Sequence, residues 1–208
     1  MIIMKSVHCL LLFLCVLMAG CRQPDTLTSL SLDTTLLEEG DLILRRGRSV
    51  SSRAVERAEK QNNSAYSHIG VLVRQDSSWF VVHCVPGESE ETGGEEIIKC
   101  DSLPLFLRSD RAEAGAVFRY DTLAEVRASI AADARRLLQR KVLFDRNYLC
   151  SDTSKLYCTE MVDLLYRHAG IDLTEGRRHQ PPAFREPVIY PSDITKNAKL
   201  MEIVTVKE

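Results

Sequence analysis

The chain has 208 residues, 45% of them hydrophobic and 27% charged, with a formal net charge of -2. That length suits a single domain, with a core large enough to stand without cysteine cross-links. Lys+Arg 27 against Asp+Glu 29 argues against a dedicated nucleic-acid binder, and seven prolines with ten glycines exclude a fibrous or disordered chain.

Residues 1–20 read as an export signal. Lys5 supplies a short positive start, and Cys9 to Met18 is a continuous apolar run. The run falls short of the about 20 apolar residues that a spanning helix needs, but it has the length of a secretory core. It ends in Met18-Ala19-Gly20-Cys21, which resembles the lipobox of bacterial lipoproteins, with Met18 where Leu is usual. The resemblance implies cleavage before Cys21, lipidation of Cys21, and a domain held in the cell envelope outside the cytoplasm, at the outer membrane or on the periplasmic face. Several acyl chains on one cysteine exceed the two signals required for stable anchoring. An ordinary secretory signal with an incidental Cys21 is the other reading. Residues 21–37 then form a tether and 38–208 the domain.

Along the domain, Glu39-Gly40-Asp41 is a turn before the strand Leu42-Ile43-Leu44, and Ser49 to Gln61 is a short helix. Ser67 to Arg74 and Trp79 to Val85 are strands joined by the turn Asp76-Ser77-Ser78, a hairpin. Glu96 to Lys99 and Ala116 to Tyr120 are further strands. Asp121 to Val142 is a helix, with Thr122-x-x-Glu125 as a capping box. Its apolar face is Leu123, Val126, Ile130, Ala134, Leu137 and Leu138, and Arg127 falls among the polar positions. Tyr157 to Ala169 is a second helix ending at Gly170, and Leu200 to Val206 a last strand. Elements mixed without βαβ alternation predict an α+β fold with a mostly antiparallel sheet.

Cys158 opens the second helix. Unpaired N–H groups and the dipole at a helix start favour a thiolate and can lower a cysteine pKa. A small buried hydrophobe is the alternative use of such a residue. His68 lies at the mouth of one hairpin strand and His83 on the next, where cross-strand neighbours share a face. Nucleophile, base and orienting group on adjacent elements match the logic of a catalytic triad. Cys84, Cys100 and Cys150 are the remaining domain cysteines, and with Cys158 they allow three complete disulfide pairings. No Cys-x-x-Cys pair is present, so no structural metal is expected. The acidic run around Glu88 and Glu90, and Arg177-Arg178-His179, read as surface loops.

Gly40-Asp41-Leu42-Ile43, Ser67-His68-Ile69-Gly70-Val71, Val82-His83-Cys84-Val85-Pro86 and Tyr157-Cys158-Thr159-Glu160-Met161-Val162, in that order, resemble the circularly permuted papain-like amidases of the NlpC superfamily (YaeF/YiiX type). There the histidine precedes the cysteine, the reverse of ordinary papain-like enzymes. The resemblance runs from about Gly40 to Ile194. It implies a permuted papain-like fold and a cysteine amidase or peptidase that needs no cofactor or metal. Cys158 falls on the nucleophile and His68 on the base. His83 takes the third polar position, where many members carry Glu; Glu88 and Glu90 are the alternative carboxylates. Tyr66, Tyr148 and Tyr157 are expected to contact substrate, a peptide or acyl amide, with cell-wall peptides fitting the location. Two other readings stand beside this one. One is a lipid- or acyl-directed thiol enzyme of the same fold, favoured by an apolar groove beside Cys158. The other is a binding module whose thiol is inert or locked to Cys150.

Overall fold

The computed structural model describes residues 27–62, 64–88, 94–182 and 184–208. The expected signal, its Cys21 and the first part of the tether lie outside the described residues. Six antiparallel strands form one sheet in the order β4-β3-β2-β1-β5-β8. In chain order these are β1 (Leu42–Gly47), β2 (His68–Gln75), β3 (Ser78–His83), β4 (Lys99–Ser102), β5 (Ala112–Tyr120) and β8 (Leu200–Lys207). The short β6 (Leu143–Phe144) and β7 (Lys155–Leu156) pair in parallel beside it. Five α-helices complete the described fold, beside two short 3-10 helices: α1 (Val50–Ala58), α2 (Leu103–Phe106), α3 (Ala124–Gln139), α4 (Cys158–His168) and α5 (Pro191–Thr195).

Both faces of the sheet are covered, which is why β1 and β2 read as near-continuous apolar runs rather than alternating ones. On one face Leu42, Leu44, Ile69, Val71 and Val82 pack with Ile130, Ala134, Met161 and Leu165 of α3 and α4. On the other, Ile43, Leu72 and Val81 meet Phe106, Leu107, Leu32 and Leu37. The second cluster corrects the expected tether. From Thr28 the chain is already part of the domain, since Ser109 N–H donates to Thr28 O (2.7 Å) and Leu30 N–H to Leu107 O (3.0 Å). Leu32 and Leu37 repay their burial by filling the core.

The hairpin forms as expected, with Asp76 in the left-handed region (φ 53) at its turn. Two of the boundaries differ as follows. The strand expected at 96–99 forms at Lys99–Ser102, because pairing of His83 with Lys99 and of Val82 with Cys100 sets its register on β3. Helix α3 starts at Ala124 with Leu123 at the N-cap, and no side chain caps it. Thr122 instead offers its carbonyl to Arg127. Arg127 is therefore buried against Glu38 rather than solvated. Helix α4 ends as predicted, with Gly170 at φ 76.

Candidate active site

The start of α4 is clamped from both sides by one residue. Thr159 Oγ1 donates to Ile189 O (2.7 Å), and Ile189 N–H donates to the Tyr157 hydroxyl (2.9 Å). The first intrahelical bond runs from Met161 N–H to Tyr157 O (2.9 Å), leaving the amides of Cys158 and Thr159 without helical acceptors. These two N–H groups, with that of Ile69 from β2, favour the thiolate form of Cys158.

His68 begins β2 directly opposite Arg45 of β1. Ser67 fixes this junction: its N–H donates to Arg45 O (3.1 Å), and its Oγ accepts from Gly47 N–H (3.0 Å). Continuing the β2–β3 register by one residue places Gly70 opposite His83. A Cβ on Gly70 would come within 3.0 Å of the His83 Cβ, so its missing side chain lets the two rings meet. His68 Nε2 lies 2.9 Å from His83 Nδ1, and His83 Nε2 lies 3.1 Å from Asp101 Oδ2. The same oxygen accepts from Lys99 Nζ and Arg111 Nη1, each at 2.9 Å. Phe106 lies beneath both imidazoles at 5.6 and 5.0 Å, and the Arg45 guanidinium sits 4.6 Å from the same ring.

Burial dominates the titration of these groups. It drives His68 well below the usual imidazole range, helped by Arg45. It also lowers His83 to about 4, against the opposing pull of Asp101. For Asp101 burial acts upward, but hydrogen bonds from His83 and Lys99 outweigh it and hold the carboxyl below its usual range. One set of tautomers follows. The ionised Asp101 only accepts, so His83 carries its proton on Nε2; neutral His83 then accepts at Nδ1, so His68 carries its proton on Nε2. The basic nitrogen of His68 is therefore Nδ1.

His68 and Cys158 line one cavity of about 300 Å³. Its walls are mainly apolar, from Val55, Val85, Phe144, Tyr148, Phe184 and Ile189, and Cys84 also faces it. Cys158 is half-buried, and burial pushes its thiol up to about 11 although the three amides pull it down. The lowered thiol pKa expected from a helix start is thus reversed by desolvation.

The structure brings together Cys158, His68 and His83, with Tyr148 and Tyr157 in the cavity wall. Tyr66 does not line it. Its ring packs edge-on against Phe118 at 6.2 Å, on the apolar face of the sheet. Glu88 is not an orienting carboxylate either, because Arg45, Arg111 and Lys99 hold it; Glu90 lies outside the described residues. Cys84, Cys100, Cys150 and Cys158 are all free thiols. Cys150 bonds the Tyr157 hydroxyl (3.1 Å) and Pro187 O (3.4 Å) rather than Cys158. The residue that sequence reasoning missed is Asp101. Lys99 and Asp101 alternate onto the His83 face, a signal that required the strand register to be set three residues later.

A thiol at a helix start and an imidazole from an earlier strand, on a mostly antiparallel sheet, define the papain-like class in permuted order. Residues 36–203 match the family described as permuted papain-like amidase enzyme, YaeF/YiiX, C92 family, and the chain belongs to it. It is a papain-like hydrolase. The fold is also that of a crystal structure titled metalloprotein yiiX, from Escherichia coli O157:H7, with a TM-score of 0.65 and 22% identity. That match covers 82% of this chain and 97% of the other. No curated protein matches the chain.

Proposed function

We propose that the protein is a membrane-anchored cysteine amidase acting on peptide or acyl amides. Cys158 is the nucleophile, His68 the base, and His83 and Asp101 position His68. The single tautomer set along His68, His83 and Asp101 carries this reading, because it leaves one bare nitrogen on the imidazole that shares a cavity with the thiol. His68 Nδ1 takes the Cys158 proton as the sulfur attacks the carbonyl carbon. Oxyanion charge is met by the free amides at the start of α4. The imidazolium returns its proton to the leaving amine, and water then releases the acyl group by the same route. The negative charge of Asp101 behind His83 favours the imidazolium while it lasts.

The apolar cavity favours amides whose acyl part is itself apolar, in line with an acyl-directed enzyme of this fold. The yiiX title names a metalloprotein. In this chain both ring nitrogens of His83 are engaged. The cavity offers Cys158, Cys84 and one nitrogen of His68, but among the described residues no three His, Cys, Asp or Glu side chains converge to hold a metal ion, and no step runs through a metal. Anchoring is supported by the resemblance of Met18-Ala19-Gly20-Cys21 to a lipobox, and it implies an enzyme at the envelope face of a membrane.

The test is alkylation of the mature protein with chloroacetamide, mapped by mass spectrometry. Cys158 is expected to label fastest. His68→Ala is expected to slow Cys158 acylation by about 10²–10⁴, the range for general-base assistance, with little loss of stability. Absence of Cys158 labelling with and without reductant removes the nucleophile.

A further inference from the structure

A second cavity of about 400 Å³ adjoins the first, lined by Arg146, Asn147, Tyr148, Leu149, Phe184 and Arg185. Tyr148 and Phe184 belong to both cavities, and their rings meet edge-to-face at 5.2 Å. One aromatic wall therefore separates a thiol-bearing apolar chamber from a chamber with two guanidiniums and no carboxylate in its lining. The wall is held by its own loop. Tyr148 sits in the left-handed region (φ 54), and the buried Asp145 carboxylate accepts the flanking amides of Asn147 (2.8 Å) and Leu149. Non-glycine residues in that conformation persist where the surroundings impose it, often beside functional sites. Arg146 already holds one carboxylate, that of Glu96, at 2.7 Å.

We infer that this second cavity receives an anion carried by the amine part of the substrate, a carboxylate or a phosphate, while the acyl part fills the apolar cavity. The inference rests on the amidase reading and names its substrate class: N-acyl amides whose released amine is anionic. Guanidinium groups recognise carboxylate and phosphate by paired N–H donors. A neutral amine part would draw on neither guanidinium. Hydrolysis of such an amide consumes one water and yields an apolar carboxylic acid and the anionic amine.

Binding to the Cys158→Ala protein tests the site without turnover. The probes are N-decanoylglycine, N-decanoyl-phosphoethanolamine and the neutral N-decanoylglycinamide, measured by calorimetry. At least one anionic probe is expected to bind about tenfold tighter than the neutral one, since exposed charge pairs contribute roughly two- to fivefold each; the tighter anion identifies the group. Added Arg146→Ala and Arg185→Ala are expected to bring that ratio to about one, and 0.5 M salt to shrink it. Glu96→Gln, which removes the competing carboxylate from Arg146, is expected to raise the ratio by roughly twofold. A ratio near one at the outset, a ratio indifferent to the arginines, or no binding of any probe overturns the inference. Turnover by the unsubstituted protein separates the two claims. An anion preference without hydrolysis sinks the amidase reading, and hydrolysis without preference sinks the anion site.

Discussion

Two buried carboxyl groups, one bonded to the histidine pair and one in the helix that carries the thiol, are in opposite states. Asp101, behind His83, is 3% exposed; Glu160, in the first turn of the helix that Cys158 opens, is 6% exposed. Burial pushes both upward. Around Asp101 the donors His83, Lys99 and Arg111 converge on one oxygen and keep it ionised. Around Glu160 no such donors gather. Oε2 accepts only a long bond from Tyr157 N–H (3.4 Å), Oε1 is buried without a partner, and the carboxyl is pushed up to about 8. Exposure does not decide whether an acid is charged; the cations in contact with it do. Here the outcome suits the chemistry, with negative charge where an imidazolium must form and none in the helical turn that carries a thiol that must become a thiolate.

Breaking the charged member of the pair is expected to have the largest effect. Asp101→Asn removes the charge and lets an amide donate towards His83 Nε2, which turns its proton to Nδ1 and against His68. A loss in kcat/KM of about 10²–10⁴ is expected, with kcat carrying most of it. Because the Asp101 hydrogen bond supports the His83 proton, the imidazole titration of His83 should fall further, read by NMR. Asp101→Glu should recover part of the rate. A purely structural aspartate would instead lower stability and leave the pH profile in place.

A smaller effect comes from geometry alone. Gly70→Ala would put a Cβ 2.6 Å from Val81 Cγ1, 2.9 Å from Val82 O and 3.0 Å from the His83 Cβ. Val82 O is backbone in the β3 ladder and cannot yield cheaply, so β2 and β3 must part where the two histidines meet. A stability loss of about 1–3 kcal/mol is expected from overpacking, with activity falling roughly tenfold to a hundredfold as His68 shifts. Unchanged activity at the lower stability would show that the His68–His83 contact does not govern the rate.

How far the site can be read from sequence follows from the same elements. His68 and His83 are legible because a tight turn at Asp76 fixes the hairpin register, and register decides which residues share a face. Cys158 is legible because an apolar helical period begins one turn after it. Asp101 is hidden because β4 is an edge strand of four residues, too short for its own alternation to set its bounds. Arg45 is hidden for another reason: a charge inside an apolar run reads as a solvent-facing position. In the fold it is fully buried, with its charge met by Glu88 and Phe106 O (2.8 Å). The thiol pKa misleads in the same way. The helix start is visible in sequence, whereas the desolvation that overrides it is a property of the apolar cavity.

The smallest expected effect on activity sharpens the comparison from the uncharged side. Glu160→Gln retains an acceptor for the Tyr157 amide and replaces a carboxyl that is mostly protonated at neutral pH, so kcat/KM should change by no more than about twofold, as for a substitution of similar shape. Stability should reveal the difference. A folded pKa of about 8 against an ordinary 4.5 means that the folded chain holds this proton more tightly than the unfolded chain. The associated stability is complete below pH 4.5 and is lost as pH rises through 8, on the order of a few kcal/mol. Glu160→Gln has no proton to lose. Denaturant midpoints at pH 5 and pH 8.5 should therefore fall less in the variant than in the parent, leaving the variant the more stable of the two on the alkaline side. Identical pH slopes would mean that Glu160 is already ionised in the fold, and that the helical turn of the thiol carries a charge after all.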